Sequence, residues 1–344
     1  MKRAWILIAI LAVTLLNSVI ATDVVHLSDT YTYEICKTYV LTNAGDLMAE
    51  DIRVDLLIGA ASDSLYQQYL DYQMNPAAES LTIDTNNNIH ATLRLESIRS
   101  GARAIITVRT RFTNSAVDIR KAFYNYADPG EDQEQARIRR KFLGASDGIP
   151  SNNPIIVQQA KAFTGFSSVM RKAEAIYNYV NLNLTYDTNP AYAHKGAVNA
   201  LVTGRGVCEE FAALFVALCR TVNIPARVVA GYWVQGSIPH GQALGIKAEG
   251  HAWAEFYLAG VGWIPVEPSF FYSINGKRQP DQDHFARIQS DDRHFIASYW
   301  TPKTSNYIEF AYSSYQSSSS TRGKQPILEV EMLDESIICL DAKG

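Results

Sequence analysis

The chain of 344 residues holds only four cysteines, with no Cys-x-x-Cys pair and no Cys/His spacing of a ligand set. So few cysteines cannot staple a disulfide scaffold, and a structural zinc ion would find no donors at a usable spacing. Charge of one sign is scarce too: 31 Lys and Arg against 35 Asp and Glu leave a net charge of −4. A nucleic-acid groove or a polybasic membrane footprint therefore has no compositional support, and no nucleic-acid partner is expected. Beyond the first two dozen residues, no apolar run approaches the roughly 18 positions of a membrane span. The chain is nonetheless 47% apolar and 11% aromatic, enough for a core in each of about two domains of ~100 to 200 residues.

The N-terminus reads as a targeting segment. Lys2 and Arg3 make a basic start, Ala4 to Leu16 is apolar or small, and Val19-Ile20-Ala21 offers small residues to a signal peptidase. Cleavage after Ala21 is expected, so the mature chain would be secreted, periplasmic or held at the cell envelope. The competing reading is an uncleaved N-terminal membrane anchor.

Residues 22–120 read as a β-sandwich of immunoglobulin-like type. Tyr31 to Ile35, Lys37 to Leu41, Ile52 to Ile58, Thr92 to Leu95 and Ala104 to Phe112 alternate with period two, separated by turn residues. Asp84, Asn86 and Asn88 fit a hairpin turn better than a calcium loop, which would need a glycine and a later glutamate. No chemistry is legible in this domain. Residues 121–150 form a linker rich in breakers. Helical spacing follows over 155–163 and 169–182, the second capped by Ser167 or Ser168, within a domain expected over 151–300. Strands and a tail would occupy 301–344, with a serine turn at Ser317 to Ser320.

The informative stretch starts at Gly204-Arg205-Gly206-Val207-Cys208, where a glycine turn runs into the apolar run Phe211 to Cys219. Glycine disfavours the helix interior, so the helix starts near Val207 with Cys208 in its first turn. Free N–H groups and the positive end of the macrodipole favour a thiolate there, and could equally hold an oxyanion formed on an attacked carbonyl. The competing reading of Cys208 is a small buried hydrophobe. Cys219, eleven residues on and roughly 16 Å along the helix, fits that second description.

Two later strands supply partners. Gly250 to Tyr257 and Val261 to Pro268 flank a turn expected at residue 259, which would set His251 directly opposite Glu267 on one face. Cysteine at a helix start, histidine and a carboxylate are the parts nucleophilic catalysis requires. The runs GRGVCEEFAALFVALCRTVNIPARVVAGYW, GHAWAEFY and GWIPVEPS resemble the core of the transglutaminase-like superfamily, a branch of the papain-like cysteine enzymes.

The resemblance covers residues 150 to 270. It implies an α+β fold, helices packed on an antiparallel sheet, with Cys208 as nucleophile, His251 as base and Glu267 in a place usually held by Asp. Tyr186, in the run Asn183 to Asp187, together with Trp253, Tyr232 and Trp233, would line the cleft or assist the oxyanion; each could instead be a core residue. The implied activity is attack on peptide or glutamine-type amides through a thioester. Hydrolysis is expected before crosslinking by acyl transfer, with no cofactor and no metal. The partner is a protein or peptide substrate, and association with the cell envelope is compatible with export. A non-catalytic envelope scaffold is the remaining alternative. Cys36 and Cys339 could pair in an oxidising compartment or stay free. Oligomeric state has no signature in the sequence.

Overall fold

The computed structural model describes residues 26–60, 64–84, 86–120, 126–130, 132–238, 240–246, 250–288, 293–301 and 328–343. The expected signal peptide and the serine turn lie outside the described residues.

Six strands open the chain: β1 (His26–Asn43), β2 (Ala49–Ala60), β3 (Gln67–Asn75), β4 (Ser80–Ile83), β5 (Asn88–Ile98) and β6 (Arg103–Asp118). The segments expected as separate strands at Tyr31 to Ile35 and Lys37 to Leu41 are one long strand. β2, β5 and β4 form one sheet, while β1, β6 and β3 belong to a second. Alternate residues of the two sheets, among them Tyr39, Leu41, Val54, Leu56, Ala91, Leu93, Ile106 and Val108, are buried in one shared cluster. This is the packing that period-two alternation dictates. At the β4–β5 hairpin, Asp84 Oδ1 accepts from the backbone N–H of Asn86 at 2.7 Å and of Asn88 at 2.9 Å, so the carboxylate serves the turn itself.

Helix α1 (Gln133–Phe142) crosses the linker, and α2 (Pro154–Ala160), α3 (Val169–Asn183) and α4 (Gly196–Thr203) lead to α5 (Cys208–Thr221). Ser168 caps α3, accepting from Arg171 N at 3.2 Å. Every residue of α5 from Glu209 to Arg220 is buried, because α2, α3 and α4 pack on it from one side and a sheet from the other. Short strands β7 (Thr185–Tyr186) and β8 (Arg205–Gly206) pair just before it. The sheet runs β12 (Gly262–Val266), β11 (Gly250–Leu258), β9 (Ala226–Gln235), β16 (Arg293–Thr301). A separate hairpin, β13 (Phe271–Ile274) with β14 (Lys277–Pro280), pairs with no other strand among the described residues.

The two halves interlock more closely than the linker expected at residues 121–150 would suggest. The last described strand, β17 (Leu328–Lys343), lies beside β1 in the sheet of β1, β6 and β3, pairing Asn43 with Leu328 and Thr30 with Lys343. β15 (Arg287–Ile288) pairs with β6. Between β9 and β11 the chain leaves its own sheet, adds β10 (Leu244–Gly245) to the edge of β17, and returns. Ile238 and Ile246 are buried there against Tyr33, Ile35, Phe112 and Ile337. Lys37 Nζ lies 3.1 Å from Glu335 Oε1, which also accepts from the Tyr232 hydroxyl. On the other side, the Tyr66 hydroxyl donates to Glu255 Oε1 at 2.9 Å and accepts from Trp253 Nε1 at 3.2 Å. Glu255 pairs in turn with the wholly buried Arg227 at 2.7 Å, whose guanidinium lies over the Trp263 ring at 4.0 Å.

Cys36 pairs across the ladder with Ser336 and Cys339 with Tyr33, so the two sulfurs sit three positions apart on adjacent strands. That is about 10 Å, beyond disulfide reach, and all four cysteines are free.

Candidate active site

The start of α5 is built by its own sequence. Val207 at the N-cap has no side-chain oxygen to offer the helix, so Glu210 turns back: its Oε2 accepts from Val207 N at 3.0 Å. Its Oε1 accepts from the N–H of Lys195 at 2.7 Å and of Gly196 at 3.1 Å, tying the preceding loop to the helix. Position 206 must be glycine because a Cβ there would run into the Glu210 side chain. Glu209, also buried, pairs with the exposed His194, Nδ1 to Oε2 at 2.7 Å. Both acids stabilise the positive helix end while leaving Cys208, half-buried, at its tip.

Tyr186 approaches that tip from β7. Its hydroxyl meets both the backbone N–H and the sulfur of Cys208, and its ring lies 6.1 Å from that of Phe211. Burial, with the Cys208 charge beside it, pushes the phenol up to about 12. A neutral hydroxyl thus stands beside Cys208 at the start of α5.

His251 enters from β11, opposite Gly231 of β9. Its Nε2 lies 2.5 Å from Glu267 Oε2, and the ring also hydrogen-bonds Cys208. With Nε2 turned to the carboxylate, Nδ1 is the nitrogen left for the sulfur. Glu267, 2% exposed, is fixed through its other oxygen, which accepts from Ser269 N at 2.7 Å and Ser269 Oγ at 2.5 Å. The imidazole stacks on Phe270 at 5.5 Å and Trp253 at 6.4 Å, and Trp233 stands 5.9 Å away. Burial alone would lower the His251 pKa, but the Glu267 carboxylate and the Cys208 sulfur raise it to about 10.

The hairpin register differs from the expected one. Ala254 pairs with Val266 and Leu258 with Gly262, so the turn centres on residue 260 and the ladder ends before His251. The difference displaces each cross-strand partner by two positions, which preserves the face each side chain occupies. Glu267 therefore reaches His251 diagonally from beyond the strand end, and the extra methylene of Glu over Asp supplies reach.

Tyr186, Trp233, Gly250, His251, Ser269, Phe270 and Phe271 line an open cleft of about 340 Å³. Two residues expected in it lie elsewhere. Tyr232 points to the opposite face of β9, into the contact with Lys37 and Glu335. Trp253 is fully buried beneath the histidine, its N–H held by Tyr66. Sequence reasoning missed Ser269, Phe270 and Phe271, although they directly follow Glu267 and a proline, where a chain leaving a strand end would border the same site. It also missed Glu210, whose spacing of three from the N-cap was a capping signal.

A helix carrying cysteine at its start, packed on an antiparallel sheet that presents histidine and a carboxylate, defines a papain-like α+β core. Residues 158–268 match the family model of the Transglutaminase-like superfamily, and that stretch contains Cys208, His251 and Glu267. The chain carries a transglutaminase-like domain. An uncharacterized protein of Haemophilus influenzae is 23% identical over 261 residues, 70% of this chain and 69% of that protein. A protein-glutamine gamma-glutamyltransferase of Pseudomonas aeruginosa is 36% identical over 69 residues, which is 20% of this chain and only 10% of the relative. Among solved structures, a cysteine protease candidate from Cytophaga hutchinsonii superposes with a TM-score of 0.54 at 16% identity, covering 92% of this chain and 99% of its own. That last likeness is one of fold. No helix among the described residues is long and apolar enough to cross a membrane.

Proposed function

We propose that the protein is an exported cysteine enzyme that hydrolyses peptide or glutamine-type amides through a thioester. The contact chain from Cys208 through His251 to Glu267, with His251 lining an open cleft, carries this reading. His251 takes the thiol proton and the sulfur attacks the amide carbon. The oxyanion meets N–H groups of the first turn of α5 and the Tyr186 hydroxyl. The imidazolium returns its proton to the leaving amine as the carbon–nitrogen bond breaks, leaving the thioester. His251 then draws a proton from water, whose oxygen attacks, and the acid departs as Cys208 recovers its proton. Glu267 keeps the ring oriented and favours its charged form throughout. Export rests on the basic, apolar and small-residue pattern of residues 1–21. An N-terminal anchor would place the same domain at the envelope, with a protein or peptide as substrate in either case.

Rapid alkylation of Cys208 by iodoacetamide near pH 6 is the first test; a thiol no faster than a model peptide would end the enzyme reading. Acyl transfer to a lysine amine is the second reading, favoured by the name of the Pseudomonas relative over the matched 69 residues. A glutamine peptide supplied with a fluorescent amine separates the two. Incorporation that disappears in Cys208→Ala means transfer, while ammonia or peptide release without incorporation means hydrolysis.

A further inference from the structure

One charged side chain beside the cleft is not used by the chemistry above. Arg278 on β14 donates from Nη1 to the carbonyl of Leu184 at 2.5 Å, at the C-terminal end of α3. Its guanidinium lies 3.7 Å from the centre of the Phe271 ring and 5.9 Å from that of Phe211. Nε and Nη2 are shielded from solvent and have no acceptor among the described residues. These two N–H groups share one edge of the guanidinium, the edge whose parallel donors match a carboxylate. A buried donor without an acceptor costs free energy, and burial lowers the Arg278 pKa accordingly.

The place of this edge is informative. Phe211 is one helical turn beyond Cys208, Leu184 precedes Tyr186 by two residues, and Phe271 lines the same cleft as His251. None of the described residues lining the cleft is acidic. The ring that covers the guanidinium is 46% exposed and belongs to the β13–β14 hairpin, which is bonded to no other described strand. A ligand entering along the cleft can thus displace Phe271 without breaking a sheet.

We propose that Arg278 determines specificity for a substrate carrying a carboxylate within one residue of the scissile amide, which moves Phe271 aside and takes both N–H groups of that edge. The inference rests on the amide-cleaving reading for the word substrate. The carboxylate is either an acidic side chain or a free chain terminus, and the two give separate arms of the test.

Binding is measured by calorimetry on Cys208→Ala, where turnover cannot interfere. The probes are capped peptides with a central glutamine followed by glutamate, and twins with glutamine in place of the glutamate. A second pair ends after that residue in a free carboxylate or an amide. In at least one pair the acidic member binds about tenfold or more tightly than its neutral twin. Adding Arg278→Met abolishes the preference while the neutral twin keeps its affinity, and Arg278→Lys restores only part, having no fork. Equal binding of both twins in both pairs, parallel losses in Arg278→Met, or no binding at all overturns the proposal. Phe271→Ala, an independent variant should Arg278→Met not fold, raises affinity for the acidic member alone. Wild-type turnover of the same peptides is scored separately. Cleavage indifferent to the carboxylate removes this inference and leaves the reaction; selective binding without cleavage does the reverse.

Discussion

Replacing Glu267 with glutamine removes a negative charge 2.5 Å from His251 Nε2 while an amide of the same size can still accept from Ser269. Burial works against a charged imidazole at this site, so the carboxylate is the main reason the ring keeps its proton up to about pH 10. Two unit charges with centres about 4 Å apart interact by about 4 kcal/mol at an effective dielectric near 20, equivalent to about three pH units. The imidazolium in Glu267→Gln should therefore deprotonate near pH 7. In the proposed reaction, the proton that His251 would deliver to the leaving amine is then missing from most molecules at pH 8. The assay is kcat/KM for amide hydrolysis across pH 5 to 10.5 in both proteins, with circular dichroism to verify the fold. The alkaline limb should lie near pH 10 in the wild type and about three units lower in the variant. A limb that stays near pH 10 in Glu267→Gln would refute the electrostatic role assigned to the carboxylate.

The same raised pKa makes stability depend on pH. The His251 contribution is complete below its ordinary value of about 6.5, declines from there to about 10, and is gone above it. Melting temperature should consequently fall more steeply between pH 7 and 10 in the wild type than in His251→Gln; parallel curves would contradict this. Thiol titration of the native protein should find Cys208 and Cys36, whereas Cys219 and Cys339 react only after unfolding, and non-reducing peptide maps should show no bridge between Cys36 and Cys339. Arg227→Met removes the guanidinium that pairs with the wholly buried Glu255, a loss of about 3 to 5 kcal/mol by urea unfolding. A loss under about 1 kcal/mol would show that the pair is not structurally important.

The parts of the site that follow from local chemistry were legible in the sequence. A glycine turn before an apolar run places Cys208 at a helix start, and period-two strands with a short turn place His251 and Glu267 on one face. The turn centre was off by one residue, since Gly260 and Gly262 both adopt positive φ and draw the reversal toward themselves. What short-range patterns do not carry is which face of a strand meets another domain. Tyr232 and Trp253 look like cleft aromatics in sequence, yet their surroundings come from Glu335, Lys37 and Tyr66, residues far away along the chain. The pattern of residues 301–344 suggests strands there, but it says nothing of the partner along which Leu328 to Lys343 extends. Tyr66 gave no signal at all, as a lone tyrosine in a loop has no period to read.

The pairing of β1 with β17 makes the transglutaminase-like domain an insertion between two strands of one sheet. Ribosomes deliver that inserted part entire before the strand that closes the sheet around it, and so distant a closure is slow. Until it happens, the excursion carrying β10 has no edge to join, and Ile238, Ile246 and Tyr232 lack their cover. The segment that runs from there into His251 is then held at one end only. The cleft around His251 would thus reach its final form only once β17 has paired. A fragment cut at residues 150 and 300 should inherit the exposed surface and lose the restraint.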